Sequence, residues 1–300
     1  MALTKKGGEV FLILLVSLLI TASSLKADIL GPLITETADP IGKHNLALQF
    51  SSFLFIKAGD YNDQGEKKVL PDGDRNHKLT AIFKPVYGLL NTMDLFAEIP
   101  YQANFARQGS ASAQDGGLAD IFLGAKYRFW EGKEASWQPS LTGIIKAKFP
   151  TGKYEHLSPE KLETDKTGNG SYEYYLSAIV SKIWRDWCFH FNLGYNWTTE
   201  VSVDGVQTKH GNIWFYNLAA EWSFGKNWDL IAELNGWQQE KTRENGQPVD
   251  YTDARTLAFI LALGWKIHDN TFALAGFSFP LSGKNTEFGL TPGLLLTINF

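Results

Sequence analysis

The lengths of the connections between candidate strands constrain this fold more than any other feature. Side-chain alternation marks twelve candidate strands, whose approximate ranges are 43–57, 77–87, 93–105, 117–129, 138–149, 171–184, 187–199, 213–224, 228–239, 255–267, 271–279 and 289–300. Long polar loops, among them ARQGSASAQDG and PLSGKNTEF, alternate with short turns, among them GLLNT, RD and GKN. Such alternation places all long loops at one rim and all short turns at the other, as in outer-membrane barrels. A soluble periplasmic β-sandwich, the alternative fold, has no reason to follow this pattern.

The candidate strands have one apolar face and one polar face. In GLADIFLGAKYRFW, period two separates Ile121, Leu123, Ala125, Tyr127 and Phe129 from Asp120, Phe122, Gly124, Lys126 and Arg128. Most candidate strands run for roughly nine to fourteen residues, which is long enough for a tilted strand to cross a bilayer. Because an open sheet edge would leave backbone groups unpaired in hydrocarbon, the sheet must close. The pattern predicts an all-β fold, a transmembrane antiparallel β-barrel of about 12 strands whose apolar face contacts outer-membrane lipid.

The amino terminus has the form of an export signal. In MALTKKGGEVFLILLVSLLITASSLKA, two lysines precede an apolar run that is too short to span a bilayer as a helix. We therefore predict a cleaved signal peptide at residues 1–27 and a barrel at residues 43–300 in the bacterial outer membrane. The segment between them, residues 28–42, is too polar and proline-broken to be a strand. Two interpretations stay open for it: a periplasmic tail, or a plug that enters the lumen.

Polar and charged side chains occupy the inward positions of the candidate strands. The inward candidates are Lys84, Asp94, Glu98, Asp120, Lys126, Arg128, Lys146, Lys148, Glu173, His190, Glu221, Asp229 and Glu233. Their mixed signs argue against a strongly anion-selective or cation-selective ring. We predict that they line a path for a small-molecule solute, although cross-strand charge pairs also stabilise purely structural barrels. A hairpin centred near residue 111 would place Asp94 opposite Arg128.

The sequence contains no recognisable catalytic or metal-binding motif. The six histidines are scattered, Gly-x-Ser-x-Gly is absent, and no histidine or cysteine pair has metal-ligand spacing. A net charge of −4 is too weak to indicate nucleic-acid binding. We therefore predict no catalytic residue, no metal, no cofactor and no nucleic-acid partner. The alternative is an outer-membrane barrel enzyme, a lipid or peptide hydrolase, with His190 or His210 as its candidate base.

Three segments carry a resemblance to a known family. GGLADIFLGAKYRF, LTGIIKAKFPTGKY and AGFSFPLSG resemble segments of the outer-membrane proteins named for the meta-pathway of phenol degradation. The resemblance implies a barrel that passes small, often hydrophobic or aromatic, organic compounds. The terminal Phe300 resembles the carboxy-terminal aromatic that the barrel-assembly machinery recognises in many exported barrels, so this machinery is an expected partner.

Overall fold

The computed structural model describes residues 31–133, 136–224 and 226–300. The predicted signal peptide, residues 1–27, lies outside the described residues. The strands are β1 (Leu46–Tyr61), β2 (Lys67–Val69), β3 (Arg75–Leu90), β4 (Met93–Gln108), β5 (Ala111–Leu118), β6 (Ile121–Trp130), β7 (Ser140–Phe149), β8 (Glu173–Trp184), β9 (Trp187–Thr198), β10 (Glu200–Val203), β11 (Val206–Lys209), β12 (Ile213–Phe224), β13 (Trp228–Gln239), β14 (Arg243–Glu244), β15 (Gln247–Pro248), β16 (Ala254–His268), β17 (Thr271–Lys284) and β18 (Thr286–Asn299). A short 3-10 helix spans Pro159–Lys161. Within the described ranges, no helix is long and apolar enough to cross a membrane.

Twelve antiparallel strands close into a barrel. Eleven of them are single elements, and the remaining one consists of β5 and β6, which are separated by Ala119 and Asp120. β18 pairs with β1, so the barrel sheet closes on itself. At this seam the backbone groups of Leu46 and Phe300 exchange two hydrogen bonds of 3.2 and 2.7 Å. The predicted twelve-stranded transmembrane barrel is confirmed.

Alternation along β16 separates a lipid face from a lumen face. Leu261 and Leu263 are 44% and 41% exposed, whereas Ile260 and Ala262 are 0% and 3% exposed. Outward leucine, phenylalanine and tyrosine side chains on the other barrel strands are exposed in the same way. An apolar band of this extent is unfavourable in water and is solvated by lipid tails in a bilayer.

Aromatic side chains ring both ends of the apolar band. The group near the short turns includes Phe129, Trp130, Trp184, Trp187, Trp222, Trp228 and Trp265. Within it, Trp187 stacks on Trp222 and Trp228 on Trp265, with ring centroids 6.0 and 5.6 Å apart. The group near the long loops includes Phe149, Tyr172, Tyr174, Trp197 and Trp214. Because amphipathic rings favour the boundary between lipid and water, the two groups mark the two membrane surfaces.

Two of the predicted long loops are wrong. Most of ARQGSASAQDG belongs to β4 and β5, whose pairing reaches Gln108 and Ala111. Most of PLSGKNTEF belongs to β17 and β18, which turn at Asn285. Their small and polar residues lack apolar alternation, but strand ends that project into water do not need it. Backbone pairing therefore continues beyond the range that the side-chain pattern marks.

The register predicted for the hairpin of β4 with β6 is also wrong, by two residues. Asp94 lies opposite Lys126, and the backbone of Arg128 bonds instead to Thr92. The tight turn after Gln108 moves the centre of the hairpin toward the amino terminus, and the interruption at residues 119 and 120 reverses only part of that shift. The inward face of both strands is unchanged, because a shift of two residues preserves side-chain parity.

Candidate functional site

An amino-terminal stretch of chain lies inside the barrel. We call residues 31–43 the lumen segment. It packs in two apolar clusters against inward side chains: Leu33 contacts the cluster of Ile231 and Ile260, and Ala38 contacts that of Phe96 and Ile179. The segment makes no ladder with a barrel strand among the described pairings. Many of its backbone nitrogens, and the carbonyl oxygens of Glu36 and Ala38, bond instead to side chains of the barrel wall. These bonds meet the need of buried backbone groups for partners.

Glu233 binds the amino-terminal end of the lumen segment. Its carboxylate accepts hydrogen bonds from the backbone nitrogens of Leu33 at 2.6 Å and Thr35 at 2.9 Å, and from Thr35 Oγ1 at 2.7 Å. The backbone nitrogen of Ile34 lies 3.3 Å from the same carboxylate. Three successive amides that converge on one anion form a nest, which is a strong arrangement because the acceptor is charged.

Side chains from four other strands bind the rest of the segment. The Asn192 side-chain amide binds both backbone polar groups of Glu36: its Oδ1 accepts from Glu36 N at 2.8 Å and its Nδ2 donates to Glu36 O at 2.9 Å. Ala38 N donates to Ser181 Oγ at 2.9 Å, and Thr142 Oγ1 donates to Ala38 O at 2.5 Å. Further along, Ile41 N lies 3.2 Å from both oxygens of Asp94.

A cluster of opposite charges surrounds Glu36. One carboxylate oxygen of Glu36 lies 2.7 Å from Lys84 Nζ and the other lies 3.3 Å from Lys126 Nζ. Glu98 lies 3.5 Å from Lys84 and 3.2 Å from Lys146. Burial raises the pKa of Glu36, but the neighbouring Lys84 and Lys126 ammonium groups outweigh it and hold this pKa well below its usual range.

A second charge cluster ties a long loop into the mouth of the barrel. Lys148 Nζ lies 3.0 Å from Asp120 and 2.5 Å from Glu173. Asp120 also accepts from Gly152 N at 3.0 Å, and Thr151 Oγ1 donates to Ala119 O at 2.8 Å. The segments GGLADIFLGAKYRF and LTGIIKAKFPTGKY, which resemble family motifs, therefore meet at this point. A Cβ on Gly152 would lie 2.7 Å from a backbone oxygen of the loop, so the close approach requires glycine there.

The predicted inward residues form three groups. Lys84, Asp94, Glu98, Lys126, Arg128 and Lys146 surround the lumen segment, together with Glu233 on the opposite wall. Asp120, Lys148 and Glu173 lie at the mouth. His190, Glu221 and Asp229 are buried near the short turns. Sequence reasoning missed Glu36, Ser181 and Asn192. Side-chain alternation places Ser181 and Asn192 on the inward face of their strands and could have identified them, whereas Glu36 precedes the first strand and has no such signal.

Ser181, His190 and Glu221 lie on three adjacent strands in the order of a hydrolase triad. Ser181 Oγ is 2.7 Å from His190 Nδ1, but His190 Nε2 is 3.8 Å from Glu221, which is too long for a hydrogen bond. Ser181 Oγ also accepts the backbone hydrogen bond from Ala38. In this structure Ser181 therefore binds the lumen segment. Across the described residues, no group of three or more histidine, cysteine, aspartate or glutamate side chains is arranged to hold a metal ion.

The described part of the barrel contains an inner cavity and an outer cavity. The inner cavity, about 950 Å³, lies between the lumen segment and the wall of β1, β3, β4, β6, β17 and β18. Its lining is mixed, with apolar and charged side chains that include Phe53, Ile82, Lys84, Phe96, Glu98 and Leu295. The outer cavity, about 900 Å³, lies beneath the loop at 157–169 and is lined mainly by amide, hydroxyl and charged side chains.

The barrel is closed, its outer surface carries an apolar band flanked by two belts of aromatic residues, and its interior is polar. These features define an outer-membrane β-barrel protein, located in the bacterial outer membrane. The sequence model of the family described as "Putative MetA-pathway of phenol degradation" matches residues 72–294, and the chain belongs to that family. The resemblance seen in the three motifs is thus confirmed. No curated protein matches the chain.

Solved structures agree on the fold. An outer membrane channel from Pseudomonas putida F1 is similar with a TM-score of 0.70 and 15% identity, over 88% of this chain and 98% of that chain. The translocator domain of the autotransporter NalP from Neisseria meningitidis is similar with a TM-score of 0.52 and 11% identity, over 88% and 91%. The chain therefore has the fold of outer-membrane channels and translocators.

Proposed function

We propose that this protein is an outer-membrane channel for small amphipathic organic compounds, and that the lumen segment is its gate. The observation that carries the proposal is the inner cavity of about 950 Å³, whose apolar and charged lining suits a molecule with an apolar body and a polar group. A cavity of this size accommodates a compound with one or two aromatic rings. Family membership supports the same class of solute.

The contacts of the lumen segment suit a gate. It is held by side-chain hydrogen bonds and ion pairs, and not by a strand ladder, so release breaks a limited set of contacts. Passage requires this release on one side of the inner cavity and movement of the loop at 157–169 on the other. The inward residues around the lumen segment and at the mouth then line the route, which passes the charge cluster around Glu36.

A hydrolase is the second candidate because of the Ser181, His190 and Glu221 arrangement. A working triad needs a serine hydroxyl that is free to attack a substrate and a histidine oriented by the acid. Here Ser181 is engaged by Ala38, and the Glu221 carboxylate lacks a hydrogen-bond partner. A purely structural barrel is the third candidate, and it predicts no transport in any gate variant.

Transport is tested in cells whose outer membrane is intact, by uptake of the fluorescent probe N-phenylnaphthylamine, and in planar bilayers by conductance. We expect Glu233→Ala and a chain without residues 31–43 to raise both signals. Asp229→Ala is the matched control, since Asp229 is a buried inward carboxylate on the same strand that lies opposite Ser223, near the short turns. Heat-modifiable gel migration verifies barrel assembly. The channel function would be contradicted if assembled gate variants showed wild-type uptake and no conductance. The enzyme would be favoured if the protein turned over lipid or peptide and this activity were lost in His190→Ala or His210→Ala.

A further inference from the structure

The carboxylate of Glu36 occupies a site built from wall lysines. It bridges Lys84 at 2.7 Å and Lys126 at 3.3 Å, and 34% of its side-chain surface remains open to the lumen. Glu36, Lys84 and Lys126 all line the inner cavity. A molecule in that cavity therefore reaches the same two ammonium groups without first crossing protein.

The wall around this site is cationic without the lumen segment. The segment supplies Glu36, which pairs with Lys84 and Lys126, and Asp39, which lies 3.0 Å from Arg128; Arg128 also lies 3.2 Å from Glu131 of the wall. The wall's own acids here are Glu98, which lies 3.5 Å from Lys84 and 3.2 Å from Lys146, Asp94, which lies opposite Lys126, and Glu131. These three carboxylates face four wall cations, Lys84, Lys126, Arg128 and Lys146. Release of the segment leaves an excess of positive charge here, which an anion from solution neutralises in place of Glu36.

Apolar surface flanks the same site. The ring of Phe96 lies 4.8 Å from Lys84 Nζ, where the face of the ring also attracts the cation. Ile82, Val86 and Phe53 form adjacent cavity wall. A ligand that fits therefore has one anionic group, to replace the single charge of Glu36, and a compact apolar or aromatic body.

We propose that Lys84 and Lys126 form the binding site for a small aromatic carboxylate, and that Glu36 occupies this site in the closed state. Binding of the solute competes with Glu36 and so weakens the attachment of the lumen segment. The solute itself opens the gate through which it passes. This inference rests on the proposed channel function and names its substrate class.

Benzoate is the probe, titrated by calorimetry into the detergent-solubilised full-length mature protein near neutral pH. Glu36→Gln removes the competing charge at nearly equal volume, so we expect benzoate to bind at least about tenfold more tightly than to the wild type. Lys126→Gln and Lys84→Gln should each weaken binding at least about tenfold, because each removes one charge-assisted contact. Lys266→Gln is the control, since Lys266 pairs with Asp269 near the short turns. Benzamide, which has the same body without the charge, should bind weakly and equally to every variant.

Equal benzoate affinity in the wild type, Glu36→Gln and Lys126→Gln would overturn the inference, as would benzamide binding as tightly as benzoate. Two lysine variants are used so that misassembly of one leaves the other informative. Uptake of N-phenylnaphthylamine separates the two levels of the argument. If the gate variants raise uptake but benzoate does not bind, the channel stands and the anion site does not; if neither occurs, the channel itself is wrong.

Discussion

Removal of the Glu233 carboxylate should release the amino-terminal end of the lumen segment. Three contacts shorter than 3.0 Å are lost in Glu233→Ala, to Leu33 N, Thr35 N and Thr35 Oγ1. A hydrogen bond to a charged group contributes about 1.5–3 kcal/mol, but bonds that share one carboxylate are not additive. We therefore expect a loss of about 3–5 kcal/mol in docking free energy. At about 1.4 kcal/mol per tenfold, the released form becomes roughly a hundredfold to a few thousandfold more populated.

Hydrogen exchange of a peptide that covers residues 31–43 measures this change. Amides whose exchange requires release should exchange faster in Glu233→Ala by the same factor, because local opening limits their exchange. Glu233→Gln should show a smaller effect, since the amide keeps one oxygen acceptor. Asp229→Ala should leave the peptide at the wild-type rate. Wild-type exchange in an assembled Glu233→Ala barrel would show that the nest does not hold the segment.

Three further predictions concern pH, the lipid face and topology. The pKa of Glu36 is lowered in the docked segment from its ordinary value of 4.5, so the docked form binds fewer protons than the released form. The contribution of the Glu36 carboxylate to the docking free energy is therefore complete above about pH 4.5 and is lost as the pH falls through the lowered pKa. Conductance should therefore rise on acidification, and Glu36→Gln should show a smaller rise; an equal rise would assign the effect to other groups. Leu261→Arg should cost about 2–4 kcal/mol of barrel stability in denaturant titrations if this exposed outward residue lies near the bilayer midplane. Ala262→Arg, at an inward position, should instead expel Leu33 and raise conductance. Matching effects of the two substitutions would contradict the assignment of faces. Trypsin added to intact cells should cut at Arg243, on the long-loop rim, and not at Lys133, on the short-turn rim; the reverse result would invert the topology.

The sequence alone was enough to predict the barrel and its two faces. Lipid and water act on each strand locally, so alternation along β16 is visible without knowledge of its partners. The positions of short turns and their aromatic rings follow from the same local signal. This signal did not predict the strand ends beyond the bilayer, such as those that meet at the turn after Gln108, because backbone pairing in water does not depend on apolar side chains.

The interior was decided by the tertiary structure. Parity assigned Glu233 and Lys84 to the lumen, but it did not reveal that one binds the backbone of residues 33–35 and the other binds Glu36. The contact from Leu33 to Glu233 joins residues 200 positions apart, and the lumen segment has no periodic pattern that points to its partners. Likewise, Asp120 meets Gly152 only because the barrel closes and a loop folds inward. Contacts of this kind depend on the closed shape, because a segment without a strand ladder takes its place from the side chains that converge on it.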